Sequence, residues 1–224
     1  MVTANSTRLE HPEPRVVMKG VSWQTYKTLM SEVGDERSWR IAYDRGILEI
    51  RMPLEEHEEP KGLLESFVEA IADELEIEVR KLGALTLARE DLTRAVEPDS
   101  CFYIQNEALV RGRKINLQVD PPPDLVIELD YTSSSLNKQD LYSALGVPEL
   151  WRYTKNTLLV YQRVAGGYEQ CDQLRWCQGN RSLAFPFLPI AEVADFIAQS
   201  GVIGQRSAVR LFRQRLRQIL DIQR

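Results

Sequence analysis

The segment Asp124-Leu125-Val126-Ile127-Glu128-Leu129-Asp130 constrains this chain more than any other stretch. Read as a strand, it alternates its side chains between two faces. Asp124, Val126, Glu128 and Asp130 share one face, and Leu125, Ile127 and Leu129 share the other. Three carboxylates in one row repel one another unless water covers them or a cation lies across them. The fold must therefore leave this face wet, as on an edge strand, or bring positive charge to it. Pro121-Pro122-Pro123 cannot donate ladder hydrogen bonds and marks an irregular entry to the strand. Thr132-Ser133-Ser134-Ser135, which follows, suits a loop and a helix N-cap.

Two neighbouring segments bear on that choice. Val96 to Ile104 reads as a strand with Asp99 near its start, Asp99, Cys101 and Tyr103 sharing one face. Only about 20 residues separate it from the acidic strand, so the two can pair and bring Asp99 to Glu128. After Ser133–Asn137 a short helix runs Lys138 to Leu145, stopped by Gly146. Lysine is not favoured at a helix N-terminus. Lys138 there points to a specific partner such as the nearby carboxylates, the alternative being a solvated surface lysine.

The remaining pattern places these pieces in one α/β (α+β) domain. A helix is expected over Trp23–Val33 behind Ser22, then a hairpin over Trp39–Met52 turning at Asp44-Arg45-Gly46. Leu64, Phe67, Val68, Ile71 and Leu75 stripe a helix from about Lys61, behind the acidic entry Glu55-Glu56-His57-Glu58-Glu59. That entry complements the helix dipole, or else sends His57 or a glutamate to the site. Short strands follow at Ile77–Leu82 and Ala84–Arg89, a second hairpin at Leu150–Gln162, and a helix at Pro189–Gln199. Residues 1–16 read as a loose tail, 17–200 as a single domain, and 201–224 as a basic amphipathic helix. That last helix, carrying Arg206, Arg210, Arg213, Arg215 and Arg217, would pack on the domain or at a dimer seam.

Composition excludes several classes. A net charge of -5 argues against sequence-blind coating of nucleic acid, though not against a local basic groove. Cys101, Cys171 and Cys177 show no CxxC spacing and read as reduced thiols. The chain has no apolar run long enough to span a bilayer, and Met1 to Pro14 is too polar for a signal peptide. A soluble cytoplasmic protein without membrane partners is expected. With only His11 and His57 present, a histidine-based zinc site is disfavoured, and no P-loop, Rossmann glycine pattern or Ser/His/Asp order competes. Carboxylates on adjacent strands plus a lysine suit a hard divalent ion, for which Mg²⁺ needs only one or two protein carboxylates.

Several strings, taken in order, resemble a known family. Glu97-Pro98-Asp99, Pro123-Asp124-Leu125-Val126-Ile127-Glu128-Leu129, Lys138-x-x-x-Tyr142 and Gly146-Val147-Pro148-Glu149-Leu150-Trp151 look like the Uma-type restriction-endonuclease-like proteins of the PD-(D/E)XK nuclease superfamily. The resemblance covers about Trp23 to Gln162. It implies a restriction-endonuclease-like core, a mixed central β-sheet flanked by helices, and a metal-dependent endonuclease that hydrolyses DNA phosphodiester bonds. Asp99 matches the aspartate of the "PD" element and Glu128 the acid of the next strand, the two holding Mg²⁺, for which Mn²⁺ can substitute. The usual lysine two residues after that acid is replaced by Asp130, and Lys138 takes its place in assisting the attacking water. Asp124, roughly 13 Å from Glu128 along a strand, has a lesser, structural role. His57 best matches the polar residue that some members supply from the first helix. A homodimer is a further expectation. The alternative is a catalytically inactive module of the same fold that binds nucleic acid or a protein partner.

Overall fold

Pro98 decides the layout. The strand expected over 96–104 breaks at this residue, which has no N–H to donate to a ladder, and its halves enter different sheets. The structure, a computed structural model, describes residues 13–34, 37–55, 58–129, 135–171, 182–188 and 190–222. Within these the chain runs β1 (Arg15–Lys19), α1 (Trp23–Val33), β2 (Arg40–Asp44), β3 (Ile47–Arg51), α2 (Glu58–Leu75), β4 (Arg80–Lys81), β5 (Leu87–Arg89) and β6 (Arg94–Val96). It continues through β7 (Ser100–Tyr103), α3 (Glu107–Val110), β8 (Leu125–Leu129), α4 (Lys138–Ala144), β9 (Glu149–Thr154), β10 (Thr157–Val164), β11 (Gly167–Gln170), α5 (Ile190–Ile203) and α6 (Gln205–Ile222). One sheet has the order β1-β3-β2-β6-β5 and the other β11-β10-β9-β8-β7-β4. The second is mixed, because β8 and β9 run parallel with α4 between them while the remaining pairs are antiparallel.

Local chemistry accounts for the boundaries. The Ser22 hydroxyl accepts from the Thr25 N–H at 3.1 Å and starts α1. Arg45 and Gly46, both at positive φ, turn β2 into β3, and Lys155 with Asn156 does the same between β9 and β10. α2 begins at Glu58, earlier than its apolar stripe suggests, with Glu58 and Glu59 facing the positive end of the helix dipole.

The six-stranded sheet is buried on both faces. Phe102, Leu125, Ile127, Leu129 and Trp151 pack against Leu64, Phe67 and Ile71 of α2 and Phe212 of α6. Cys101, Val126 and Leu150 pack on the opposite side against Leu141, Tyr142 and Leu145 of α4. β8 is therefore a central strand, buried throughout, and not an edge strand with a wet face. Glu128, the one carboxylate within β8, therefore meets its partners inside the protein and not in bulk water.

One further expectation changes. β1 pairs with β3 along its whole length, and Glu13 is buried, so residues 13–16 belong to the fold instead of a loose tail. α6 lays its apolar face on α2 and α5, while Arg213 and Arg217 pair with Asp73 and Glu74, and Arg215 with Glu192. Cys101 and Cys171 are buried free thiols. No described helix is long and apolar enough to cross a membrane. His11, Cys177 and Pro189 lie outside the described residues.

Candidate active site

Register sets the centre of the site. β7 and β8 are antiparallel with Ser100 opposite Ile127, so one step further puts Asp99 opposite Glu128. Asp99 is 5% exposed and Glu128 1%. Carboxylates so deeply buried need charge compensation. It comes from Arg51, the last residue of β3, and Lys138, the first of α4, which are 4% and 7% exposed.

One guanidinium nitrogen serves both acids. Arg51 Nη2 donates to Asp99 Oδ1 at 2.9 Å and to Glu128 Oε2 at 3.4 Å, while Nη1 donates to Glu13 Oε1 at 3.3 Å. Lys138 Nζ donates to Glu128 Oε2 at 2.6 Å, and the Tyr142 hydroxyl donates to Glu128 Oε1. The Leu129 N–H donates to Asp99 Oδ2 at 2.8 Å. Among the described residues two cations, Arg51 and Lys138, face three carboxylates, Asp99, Glu128 and Glu13.

The proton affinities follow. Burial pushes the Asp99 carboxyl up, but Arg51, Lys138 and the Leu129 N–H together hold it below the ordinary aspartate value. Burial works against a charged Arg51, yet Asp99, Glu128 and Glu13 raise its pKa well above the usual one. Burial and the adjacent Glu128 push the Tyr142 phenol well above 10, so it stays a donor.

The surrounding elements hold these groups in place. Arg51 and Glu49 alternate with Leu48 and Ile50 on β3 and so leave the same face. Glu49 is buried and accepts from the Ser135 N–H at 2.9 Å and from its hydroxyl, which ties the segment before α4 to β3. Asn137 caps α4 by accepting from the Asp140 N–H. Lys138 and Tyr142, four apart on that helix, reach Glu128 side by side.

Of the residues singled out from sequence, Asp99, Glu128 and Lys138 are brought together. Asp124 is not with them: it accepts from the Ile104 and Asn106 N–H groups at 2.6 and 3.0 Å and from Asn106 Nδ2 at 2.6 Å. It braces the turn between β7 and α3. His57, Asp130 and Thr132–Ser134 lie outside the described residues. Arg51, Glu13 and the bond from Tyr142 were not anticipated. The available signal for Arg51 was its place, with Glu49, on the charged side of an aliphatic strand.

Among the described residues no group of three or more His, Cys, Asp or Glu side chains is arranged for a metal ion. Two carboxylates are enough for Mg²⁺, which keeps several of its waters. Asp99 and Glu128 supply hard oxygens of the kind Mg²⁺ takes, and Arg51 Nη2 lies within reach of both. A metal ion fits this donor set on condition that Arg51 withdraws.

The family model Uma2, described as "Putative restriction endonuclease", matches residues 23–191. No curated protein matches the chain. Among solved structures, one described as "a putative nuclease belonging to DUF820", from Anabaena variabilis, shares 16% identity at a TM-score of 0.49. The match covers 84% of this chain and 99% of that one.

Proposed function

This chain belongs to the Uma2 family of restriction-endonuclease-like proteins, and from that premise we propose that it is a metal-dependent endonuclease hydrolysing phosphodiester bonds in DNA. The observation that carries the reading is the buried Asp99–Glu128 pair on adjacent strands with the Lys138 ammonium 2.6 Å from Glu128. Asp99 and Glu128 would hold Mg²⁺, or Mn²⁺ in its place. When bound, such an ion offsets charge on the scissile phosphate and lowers the pKa of a coordinated water.

The protein groups have separable tasks. The Leu129 N–H and the Tyr142 hydroxyl each fix one oxygen of Asp99 and Glu128, directing the other oxygen of each toward the shared position. Lys138 is a three-donor ammonium that orients the attacking water and stabilises charge developing on the phosphoryl oxygens. It stands in for the lysine that the superfamily carries where this chain has Asp130. Arg51 holds the two acids together and offsets part of their mutual repulsion.

One site cuts one strand, so cleavage of a duplex calls for two copies; the reading includes a homodimer and a cytoplasmic setting, in keeping with the free thiols. Purified protein incubated with supercoiled plasmid in EDTA, Mg²⁺ or Mn²⁺ tests it, beside Asp99→Ala. Nicking that requires metal and disappears in the variant is expected.

A second reading, an inactive module that binds nucleic acid or protein, is favoured by Arg51 standing where the ion would go. It predicts binding in EDTA and no cleavage. On the basic face of α6, Arg213 and Arg217 are paired with Asp73 and Glu74, and such binding would compete with these surface ion pairs.

A further inference from the structure

A cavity of about 560 Å³ lies where the chain passes between the two sheets, by the β4–β5 and β6–β7 connections. That volume is in the range of small-ligand sites. Its charged lining is Arg37, Arg40, Lys114 and Glu97, and Met30 and Ile115 are among its apolar walls. Glu97 is already committed within the protein: it accepts from Arg37, from the Thr86 hydroxyl, and from the Ile41 N–H at 3.1 Å. With Glu97 cancelling one of the three cations, the described lining residues carry two positive charges. Among the described residues neither Arg40 nor the exposed Lys114 forms a salt bridge, although Arg40 lies near enough to Glu97 to favour its charge.

The second observation is a pair of orphaned donors. The Nε groups of Arg37 and Arg40 are both buried with no hydrogen-bond partner among the described residues. Native structures rarely leave buried donors unmet. The Arg37 side chain is 7% exposed and lies over the Trp39 ring at 4.8 Å, which fixes the plane of its guanidinium.

We propose that this cavity binds a phosphate monoester, the terminal phosphate of a nucleotide or of a nucleic-acid strand end. A monoester carries close to two negative charges at neutral pH and several strong acceptor oxygens, which matches two guanidinium donors, an ammonium and a lining charge of two. A diester carries one charge and matches less well. The apolar walls accommodate sugar and base. The nucleotide part rests on the nuclease reading; recognition of the phosphate does not. The cavity adjoins the candidate active site, since Glu97 stands two residues before Asp99 and Arg40 is the register partner of Arg51.

Calorimetric titration of the full chain in EDTA tests this, with thymidine 5′-monophosphate, thymidine, inorganic phosphate and a 5′-phosphorylated oligothymidylate as probes. Thymidine monophosphate is expected to bind one per chain and more tightly than thymidine. Arg40→Gln and Lys114→Gln should each weaken it by about tenfold or more, and Asp99→Asn should leave it unchanged. Tighter binding of the mononucleotide assigns the site to free nucleotide, and tighter binding of the oligonucleotide assigns it to a strand end. Equal affinity for thymidine and its monophosphate, or affinity untouched by Lys114→Gln and Arg40→Gln, overturns the proposal. Because these titrations contain no divalent metal, a failure of the nuclease reading leaves their outcome intact.

Discussion

Replacing Arg51 with methionine tests how the site balances its charge. Arg51 Nη2 lies 2.9 Å from one Asp99 oxygen and 3.4 Å from one Glu128 oxygen, so the two oxygens are no farther apart than the sum of those distances, about 6 Å. At that separation and an effective dielectric constant of about 20, two carboxylates repel by roughly 3 kcal/mol. Removing one partner from a buried ion pair costs about 3–5 kcal/mol, and Glu13 loses its bond from Arg51 in the same step. Arg51→Met should therefore lower unfolding stability in EDTA by about 3–5 kcal/mol, measured by urea titration. Manganese should return much of it, since saturation at a hundred times Kd adds about 2.7 kcal/mol, and the gain should exceed that of the wild type. Adding Asp99→Asn to Arg51→Met should remove the repulsion and the manganese response together. A variant within about 1 kcal/mol of wild type in EDTA, with no larger response to manganese, would refute the reasoning.

Two other residues give contrasting tests. Asp124→Asn should cost about 1–3 kcal/mol of stability by disturbing three accepted hydrogen bonds, while manganese affinity measured by calorimetry stays at the wild-type value. Glu149 is pushed above its ordinary value of 4.5 by burial, against the pull of Ser182, Trp151 and the Leu183 N–H. The folded protein then keeps this proton where the unfolded chain has lost it, so the group's contribution is full below pH 4.5 and fades as pH rises through the folded value. The stability advantage of wild type over Glu149→Gln should accordingly shrink as pH rises above 4.5, and a difference that stays constant from acid to neutral pH would contradict the assignment.

The catalytic proposal was legible in sequence to the extent that it depends on local pattern. Strand alternation placed Asp99 beside Cys101 and Glu128 beside Val126, and in the structure Cys101 and Val126 share one core cluster. The family resemblance named the same family that the family model finds. Lys138 stood out because a lysine at a helix N-terminus opposes the dipole, and Glu128 meets it there. Arg51 was hidden because it lies 48 positions before Asp99 and 77 before Glu128. Alternation assigns a strand's faces but not its partner across the fold. For the same reason Leu125, Ile127 and Leu129 fitted an edge strand as well as the central strand they form. The break at Pro98 was the clearest missed local signal, since a residue without an N–H in an expected strand argues for two strands.

The account stands on Glu128 acting as a metal-holding acid beside Lys138. The most direct test is the rate at which Glu128→Gln cleaves a labelled DNA duplex in Mg²⁺, with circular dichroism confirming its fold. Gln keeps the size of the side chain and removes the charge. A folded variant slowed by at least about a hundredfold is the predicted result; a folded variant that cleaves at the wild-type rate would contradict it.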